Sequence, residues 1–295
     1  MVELGLFFAA LIAIYAIMAL ALNLQYGFGG LLNFGLVAFF AIGAYASANF
    51  STAGVPVLLS MALATVISAI AGALIAIPTM RLSVHYWAIV TISISELIRV
   101  ISTNESWLTG GTFGMRQIPQ PFSSVVPAQA YPAFFAAFTI VFLILCYMIS
   151  VRVANAPFGR VLKVIREDED FGRSLGKDVS RFKLKTMTLG AAMVGLAGAL
   201  YAHLTTFISP QAFEPIVTFI IWAAVILGGK GNLKGSILGA FVMVALFNST
   251  RFIGDYLDIQ AVLIANIRLA LIGLLIMLTV LLRPDGILPE RKREF

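Results

Sequence analysis

The sequence has very little charge for its length. Only 12% of its 295 residues are Asp, Glu, Lys or Arg, whereas 60% are hydrophobic and the mean hydropathy is +0.97. A soluble domain of this composition would expose large apolar patches and aggregate. Several segments of roughly 20 residues contain no charge, and that length is enough to cross a bilayer as a helix. The composition therefore predicts an integral membrane protein.

Reactive side chains are equally scarce. The single cysteine, Cys146, lies in an apolar run, which excludes an internal disulfide and a cysteine-rich metal site. The two histidines, His85 and His203, lack the companion spacing of a zinc motif. The sequence has no G-x-x-x-x-G-K-[ST] phosphate loop and no G-x-S-x-G nucleophile elbow. We therefore expect no metal, cofactor or ATP site, and a membrane-embedded enzyme using a histidine or Glu96 is a minor alternative.

The apolar runs predict an all-α integral membrane protein with about nine transmembrane helices in one polytopic domain over residues 1–295. The first run lacks a preceding basic region and is too long for the apolar core of a signal peptide, so we interpret it as an uncleaved span. The predicted spans are 2–24, 31–49, 55–78, 86–103, 128–151, 184–207, 216–228, 233–250 and 258–282.

Lysine and arginine are concentrated in two regions. Nine of the 20 lie between Arg152 and Lys185, and others crowd the tail at 283–295. Basic loops remain on the cytoplasmic side of a membrane, so we expect this tail and a loop at about 152–183 to be cytoplasmic. Counting spans back from the loop places Met1 outside. The basic pI of about 9.6 thus reflects membrane topology and does not indicate nucleic-acid binding.

Two predicted spans are interrupted by glycine. The segments QYGFGGLLNFG (25–35) and LGGKGNLKGS (227–236) each place glycines and an asparagine between apolar runs. Paired interruptions in corresponding halves of a transporter indicate a substrate path and a candidate inverted internal repeat. Gly29, Gly30 and Asn33 are then the path residues expected in the first interruption. Ordinary tight loops are the alternative interpretation.

One long segment, 159–178, differs from the rest because half of its residues are charged. One helical face is apolar. It consists of Phe158, directly before the segment, and of Val161, Leu162 and Ile165 within it. Pro157 suits the first turn of a helix, and Gly172 and Gly176 are expected to interrupt or end it. The pattern predicts a short amphipathic helix between two spans.

This amphipathic segment has three possible surroundings: lipid, solvent or another protein. A helix on a lipid surface prefers a basic polar face, whereas EDED at 167–170 places four acids together. Mixed charge suits a specific groove on a partner protein, because charges then fix register and partner. A solvated loop is the main alternative to docking.

Glu96 and Arg99 are ionisable residues inside an apolar span. They stand at i and i+3, close enough to pair on one helix face. Either charge alone costs ~2.5–3.5 kcal/mol at the centre of a membrane helix, so both should face protein or water. The pair is either part of the substrate path or a structural link between helices. Ser93 and Ser95 precede Glu96 by three residues and by one, and they are candidate path residues.

Seven segments resemble the permease subunit of branched-chain amino acid ABC importers, the Liv-type family, in the family's order and over most of the chain. They are LNLQYGFGGLLNFGLVAFFAIGAY, YWAIVTISISELIRV, LTGGTFGMRQIP, GRVLKVIREDE, GLAGALYAH, ISPQAF and LGGKGNLKGSILGA. The family often has glycine where Ser93 and Ser95 stand. The resemblance implies a translocation path, for which the candidates are Gly29, Gly30, Asn33, Ser93, Ser95, Glu96 and Arg99.

The resemblance also implies that segment 159–178 is the coupling helix, which docks to the ATPase. The candidate coupling residues are Phe158, Arg160, Leu162, Ile165, Arg166, Glu167, Glu169, Leu175 and Gly176. The family commonly has two small residues after the glutamate, whereas Phe171 and Gly172 stand there in this chain. This departure affects the expected fit to the ATPase and not the expected role of the segment.

The implied assembly contains a second permease, similar or identical, two P-loop ATPases and an extracytoplasmic binding protein in a bacterial or archaeal cytoplasmic membrane. The implied substrates are branched-chain or other neutral amino acids. Related permeases carry urea or short amides, which is the alternative substrate class. A stand-alone channel or secondary transporter is a weaker alternative. It would need its own coupling-ion site, usually intramembrane Asp or Glu, and only Glu96 lies well inside a span.

Overall fold

The computed structural model describes residues 2–79, 82, 84–257, 261–283 and 285–290. Within these ranges the chain is helical, and its only strand-like contact is an isolated antiparallel bridge between Met115 and Ile208. The predicted all-α class is confirmed. Met1 and the basic residues at 291–295, which entered the predicted topology, lie outside the described residues.

The helices follow one another along the chain with short connections. They are α1 (Val2–Leu22), α2 (Leu36–Thr52), α3 (Val57–Thr79), α4 (Val84–Asn104), α5 (Ser106–Thr109), α6 (Tyr131–Asn155), α7 (Pro157–Glu167), α8 (Glu169–Ser174), α9 (Val179–Thr205), α10 (Pro215–Gly228), α11 (Leu233–Leu257) and α12 (Ala261–Leu282). A π-helix (Asn23–Phe28) extends α1, and 3-10 turns occupy Gly111–Phe113 and Pro210–Phe213.

Several of these helices have the length and composition of membrane spans. In the described part of the chain, the five that qualify are Glu3–Phe28, Val57–Thr79, Tyr86–Asn104, Tyr131–Asn155 and Val179–Thr205. Three shorter apolar helices accompany them, Leu36–Thr52, Pro215–Gly228 and Leu233–Phe247. The chain is a multi-pass membrane protein, while the count of nine crossings stays a prediction.

Exposed apolar faces are consistent with contact to lipid. On α3 the exposed residues include Leu63, Ile70 and Leu74, and on α6 they include Ile144 and Met148. A water-soluble protein rarely exposes such continuous apolar surface, whereas a bilayer accommodates it. These two helices therefore present outer faces of the bundle.

The core is built around α1 and α9. From Ala16 to Leu22 every side chain of α1 is buried, and this helix packs against α6, α9, α10 and α11. Small residues of α9 pack against α2 and α3, with Gly195 against both Gly43 and Ser68. Small residues let helix backbones approach closely in a membrane, where no hydrophobic force holds helices together.

The predicted boundaries differ from the observed ones mainly at the interruptions. The first helix runs to Phe28 because its last turn widens into a π-helix, and α2 begins only at Leu36. The start of α9 lies five residues before the predicted span, because Asp178 caps it by accepting from the Arg181 amide at 3.1 Å. Residues 258–260 of the last predicted span lie outside the described residues.

Candidate functional site

The two glycine-rich interruptions meet at Asn23. Its side-chain amide donates to the Asn232 carbonyl (2.9 Å) and the Ser236 hydroxyl (2.6 Å), while its side-chain oxygen accepts from the Gly231 amide (2.8 Å). Asn23 is fully buried, so leaving these groups unpaired would be costly. The π-helical turn that begins at Asn23 is a feature often found at functional sites. Segments about 200 positions apart thus form one structure.

The backbone of the first interruption is irregular between Leu31 and Gly35, and side chains of other helices bond to it. The Phe34 amide donates to the Thr91 hydroxyl of α4 at 3.1 Å, and the Trp222 indole of α10 donates to the Asn33 carbonyl at 2.9 Å. Irregular backbone at membrane depth is tolerated only inside protein or beside a water-filled cavity. The interruption is therefore an integral part of the helical bundle.

A row of aromatic rings, which sequence reasoning missed, runs along this interruption. Phe219 lies 5.8 Å from Phe34, Phe34 stacks on Trp222 at 4.6 Å, and Trp222 lies 4.5 Å from Tyr26. Phe219, Phe34 and Tyr26 are partly exposed, whereas Trp222 is buried. The spacing of Phe219 and Trp222 at i and i+3 on α10 is the only sequence signal for the row.

A cleft of about 910 Å³ opens beside Tyr26, at the end of the aromatic row. It carries both signs of charge. Its lining includes Tyr26, Gly30, Arg166, Lys230, Asp285 and Glu290. The cleft therefore joins the first interruption to α7, to the second interruption and to the tail.

The path residues predicted in the first interruption have different surroundings. Gly30 lines the cleft, whereas Gly29 and Asn33 are buried. The Asn33 side chain donates to Gln25 at 2.9 Å and accepts from the Gly35 amide at 2.9 Å. The contacts of Asn33 thus shape the interruption itself.

The predicted path residues of α4 lie between Ser93 and Arg99, in the middle of that helix. Ser93 is exposed and Ser95 is buried. The hydroxyl of each donates to a main-chain carbonyl of α4 itself. Glu96 and Arg99 form the expected ion pair, with side chains 44% and 31% exposed. Thr91 connects this part of α4 to the first interruption through Phe34.

The coupling segment forms two helices, and the first of them packs inward. Leu162 and Ile165 of α7 are buried, and Phe158 stacks on Phe182 of α9 at 5.0 Å. Arg160 is exposed on the opposite side. The predicted apolar face of α7 is thus covered by the protein's own core.

The break between α7 and α8 falls at Asp168, not at Gly172. The Asp168 carboxylate accepts from the backbone amides of Asp170 (2.9 Å) and Phe171 (3.0 Å) and so caps α8. Gly172 lies inside α8 and is buried, with the side chain of Ile165 next to it. A β-carbon added at Gly172 would lie 3.2 Å from Ile165 Cγ1, so packing favours a small residue there.

Two large apolar side chains of this region point away from the bundle. Phe171 is 54% exposed and Leu175 is 53% exposed. Gly176 follows with a positive φ of 70° and ends the segment, and Glu167 is also exposed. These residues form a surface that we call the α8 surface, made of Phe171, Leu175 and Gly176.

Glu169 anchors α8 to the bundle. Its carboxylate accepts from Lys183 of α9 at 2.7 Å and from Arg173 at 2.6 Å. The Lys183 side chain is only 5% exposed, so the pair is largely shielded from solvent on the lysine side. Glu169 is therefore tied to α9 and is not free on the surface.

Arg166 of α7 reaches the first interruption. Its guanidinium donates to the main-chain carbonyl of Gly27 and pairs with Glu167 (2.8 Å) and with Glu290 (3.0 Å). Burial alone would lower the pKa of Arg166, but the hydrogen bonds to the two glutamates raise it above its usual value. Arg166 thus stays charged at any accessible pH.

The histidines have ordinary structural surroundings where they can be described. His203 is fully buried, with Nε2 2.8 Å from the Ser47 hydroxyl and Nδ1 2.7 Å from the Pro119 carbonyl. Since a carbonyl only accepts, Nδ1 carries the proton and donates. The side chain of His85 lies outside the described residues. No group of three potential metal-ligating side chains occurs in the described part of the chain.

An all-helical bundle with two joined helix interruptions and an exposed helical element is an arrangement of membrane transporters. The family model for the permease component of branched-chain amino acid transport systems matches residues 5–280. The chain belongs to this family. Proteins of the family are transport subunits, so the chain is not itself an enzyme.

Three relatives illustrate the range of similarity. The high-affinity branched-chain amino acid transport system permease protein LivM of Salmonella typhimurium is 33% identical, covering 95% of this chain and 69% of LivM. The probable LivM of Methanocaldococcus jannaschii is 29% identical, covering 94% and 91%. The autoinducer 2 import system permease LsrC of Salmonella paratyphi B is 24% identical over 53% of this chain and 44% of LsrC. No solved structure is detectably similar.

Proposed function

We propose that this chain forms part of the translocation path of an ATP-driven importer for branched-chain or other neutral amino acids. The family match over residues 5–280 carries the proposal. Permeases of this kind work with ATPase and binding-protein partners. The complete assembly would contain a second permease, two P-loop ATPases and an extracytoplasmic binding protein, with this chain contributing a single polytopic domain.

The first interruption and the aromatic row are the proposed inner wall of the path. Irregular backbone with partly exposed residues at Gly30, Leu32 and Phe34 should not face lipid. A path between two permeases would cover it, and the rings of Phe34 and Phe219 would suit an apolar amino-acid side chain. The charged cleft beside Tyr26 would then be its inner mouth.

The Glu96–Arg99 pair supports a contact between α4 and a second permease or water in the path. Both side chains remain partly exposed in this chain alone, and a charged group facing hydrocarbon costs ~2.5–3.5 kcal/mol. A second permease or water in the path must therefore cover the pair. Ser93, exposed on the same helix, would share that environment.

The α8 surface is the proposed contact with the ATPase. Phe171 and Leu175 are large, apolar and exposed, and aromatic anchors often dominate the energy of a protein interface. The concentration of basic residues in this region and in the tail supports a cytoplasmic location for both. By the same count the N-terminus would lie outside.

ATP-dependent uptake tests the function directly. The tagged chain is purified with its partners from its native membrane in mild detergent, the partners are identified by mass spectrometry, and the complex is reconstituted in vesicles. We expect leucine uptake that requires ATP and the loaded binding protein, with competition by isoleucine and valine. Uptake without ATP, or competition only by urea and short amides, would contradict the proposal.

Substitutions on α4 test the path. Glu96→Gln and Ser93→Ala should change the KM for leucine relative to a smaller neutral amino acid. Thr65→Ala is the matched control, because its hydroxyl also bonds to its own helix (2.8 Å) but lies on α3. Unchanged uptake in both α4 variants would exclude these residues from the path.

A further inference from the structure

Two cationic side chains of α7 connect parts of the chain that lie far apart in sequence. Arg166 donates to the Gly27 carbonyl and pairs with Glu290, and Lys163, one turn earlier, pairs with the same carboxylate. The Lys163 ammonium also lies 5.2 Å from the centre of the Phe28 ring. We call Lys163, Arg166, Gly27 and Glu290 the Arg166 cluster. It bonds α7 to the end of the π-helix and to the tail.

Direct packing accompanies these polar bonds. A β-carbon added at Gly30 would lie 3.2 Å from the Cα of Arg166, so the backbones of α7 and the first interruption nearly touch. Gly30 also has a positive φ of 68°, which a larger residue would adopt only with strain. Because packed interiors transmit displacement, α7 has no room to move toward the interruption without displacing it.

The bond to Gly27 has a specific structural effect. The π-helix ends at Phe28, and the last carbonyls of a helix lack the amide donors of a following turn. Arg166 supplies a donor and a positive charge at this end, both of which stabilise a helix C-terminus. A displacement of α7 that withdrew Arg166 would remove this support from the π-helical turn.

The tail holds Glu290 against the second interruption. The amides of Ile287 and Leu288 donate to the carbonyls of Leu227 (2.8 Å) and Gly228 (3.1 Å), and the Asn232 side chain donates to the Pro289 carbonyl (3.1 Å). Glu290 therefore moves with the second interruption. Arg166 thus bonds α7 to the first interruption through the Gly27 carbonyl and to the second through Glu290 and the tail.

We infer that Arg166 is a positioning residue that transmits movement of α7 to the two helix interruptions, with Glu290 holding it in register. The inference rests on the proposed function, in which an ATPase acts on the adjoining α8 surface. Arg166 itself is not the docking contact, since its side chain is only 19% exposed and is directed to Gly27 and Glu290. This assignment replaces the role in ATPase binding expected from the sequence.

The test separates transmission from docking. Arg166→Gln and Glu290→Gln are each measured in the reconstituted complex for ATPase retention, stimulated ATP hydrolysis and leucine uptake. For Arg166→Gln we expect retained ATPase subunits and hydrolysis, with uptake per ATP reduced roughly tenfold or more. Glu290→Gln should reduce the same ratio less, because the bond from Arg166 to Gly27 remains. Arg181→Gln, which removes only an exposed ion pair with Asp178, is the control and should match the wild type.

Three outcomes have distinct meanings. Loss of the ATPase subunits in Arg166→Gln would overturn the inference and make Arg166 a docking residue, while leaving the proposed function intact. An unchanged ratio of uptake to hydrolysis would overturn it as well. If the wild-type complex shows no ATP-dependent uptake, the proposed function fails, and with it the transmitted movement.

A cross-linking measurement tests the contact without any transport assay. In a Cys146→Ala background, Lys163→Cys and Glu290→Cys are combined and treated with a short bifunctional thiol reagent in native membranes. We expect an intramolecular cross-link between these positions, with Arg181→Cys and Glu290→Cys as the unreactive control pair. Absence of the cross-link in membranes that retain the folded chain would overturn the proposed link.

Discussion

The two helices of the coupling segment, α7 and α8, differ in the direction their apolar side chains face. Leu162 and Ile165 of α7 are buried in the protein's own core, whereas Phe171 of α8 and Leu175, which follows its last residue, are exposed. An amphipathic pattern thus identifies a packed helix without revealing whether its partner is the same chain or another one.

The largest effect should come from truncation in α7. Leu162→Ala removes a side chain that is 1% exposed and leaves a cavity, for which we expect a loss of about 2–5 kcal/mol in the free energy of unfolding. Leu175→Ala, a matched change in an exposed leucine of the same segment, should cost under about 0.5 kcal/mol. Thermal unfolding in detergent measures both. Equal losses would erase the distinction between the two helices.

A smaller loss of stability is expected where α8 is anchored. Glu169→Gln removes the charge that balances the nearly buried Lys183 ammonium, and we expect a cost of about 1–3 kcal/mol. Asp170→Asn is the control, because the Asp170 side chain is 89% exposed and its ion pair with Arg173 is solvated. If the two variants unfold at the same temperature, Glu169 does not anchor α8.

Truncation in α8 should affect binding without affecting folding. Phe171→Ala should weaken ATPase binding roughly tenfold, about 1.4 kcal/mol, and leave the unfolding temperature of the permease unchanged. Titration of the purified ATPase onto the reconstituted permease measures the affinity. Tight binding by Phe171→Ala would place the docking surface elsewhere.

The smallest predicted effect concerns the junction between the helices. Asp168→Ala removes the cap of α8 and should cost about 1 kcal/mol locally, whereas Asp168→Asn keeps a capping oxygen and should cost less. Hydrogen exchange of the amides of residues 169–174 reports the difference. Identical exchange in the two variants would show that the cap contributes nothing.

Local sequence patterns were sufficient for the helical class, the membrane location and the positions of both interruptions. Apolar runs and glycine clusters are local features, and the chain obeys them within a few residues. The expected interruption at Gly172 was wrong, because the Asp168 carboxylate supplies an alternative partner for backbone amides and ends α7 earlier. Glycine gave the stronger signal in the sequence, but the cap determined the geometry.

Contacts between distant segments were beyond sequence reasoning. Nothing in the pattern around Asn23 indicates that its amide binds Asn232, and nothing near Glu290 indicates a bond to α7. A pairing of this kind depends on how the helices cross, and helix periodicity carries no information about that. The candidate path and coupling residues were therefore found individually, while the cluster that joins them was not.

The docking of the tail has a consequence for the order in which the protein is assembled. Residues 287–290 follow α12, yet their partners at 227–232 precede both α11 and α12. During synthesis, the hydrogen bonds between the tail and the second interruption can therefore form only after α11 and α12 have been made. Since chains are made from the N-terminus, the contact that completes this site forms late.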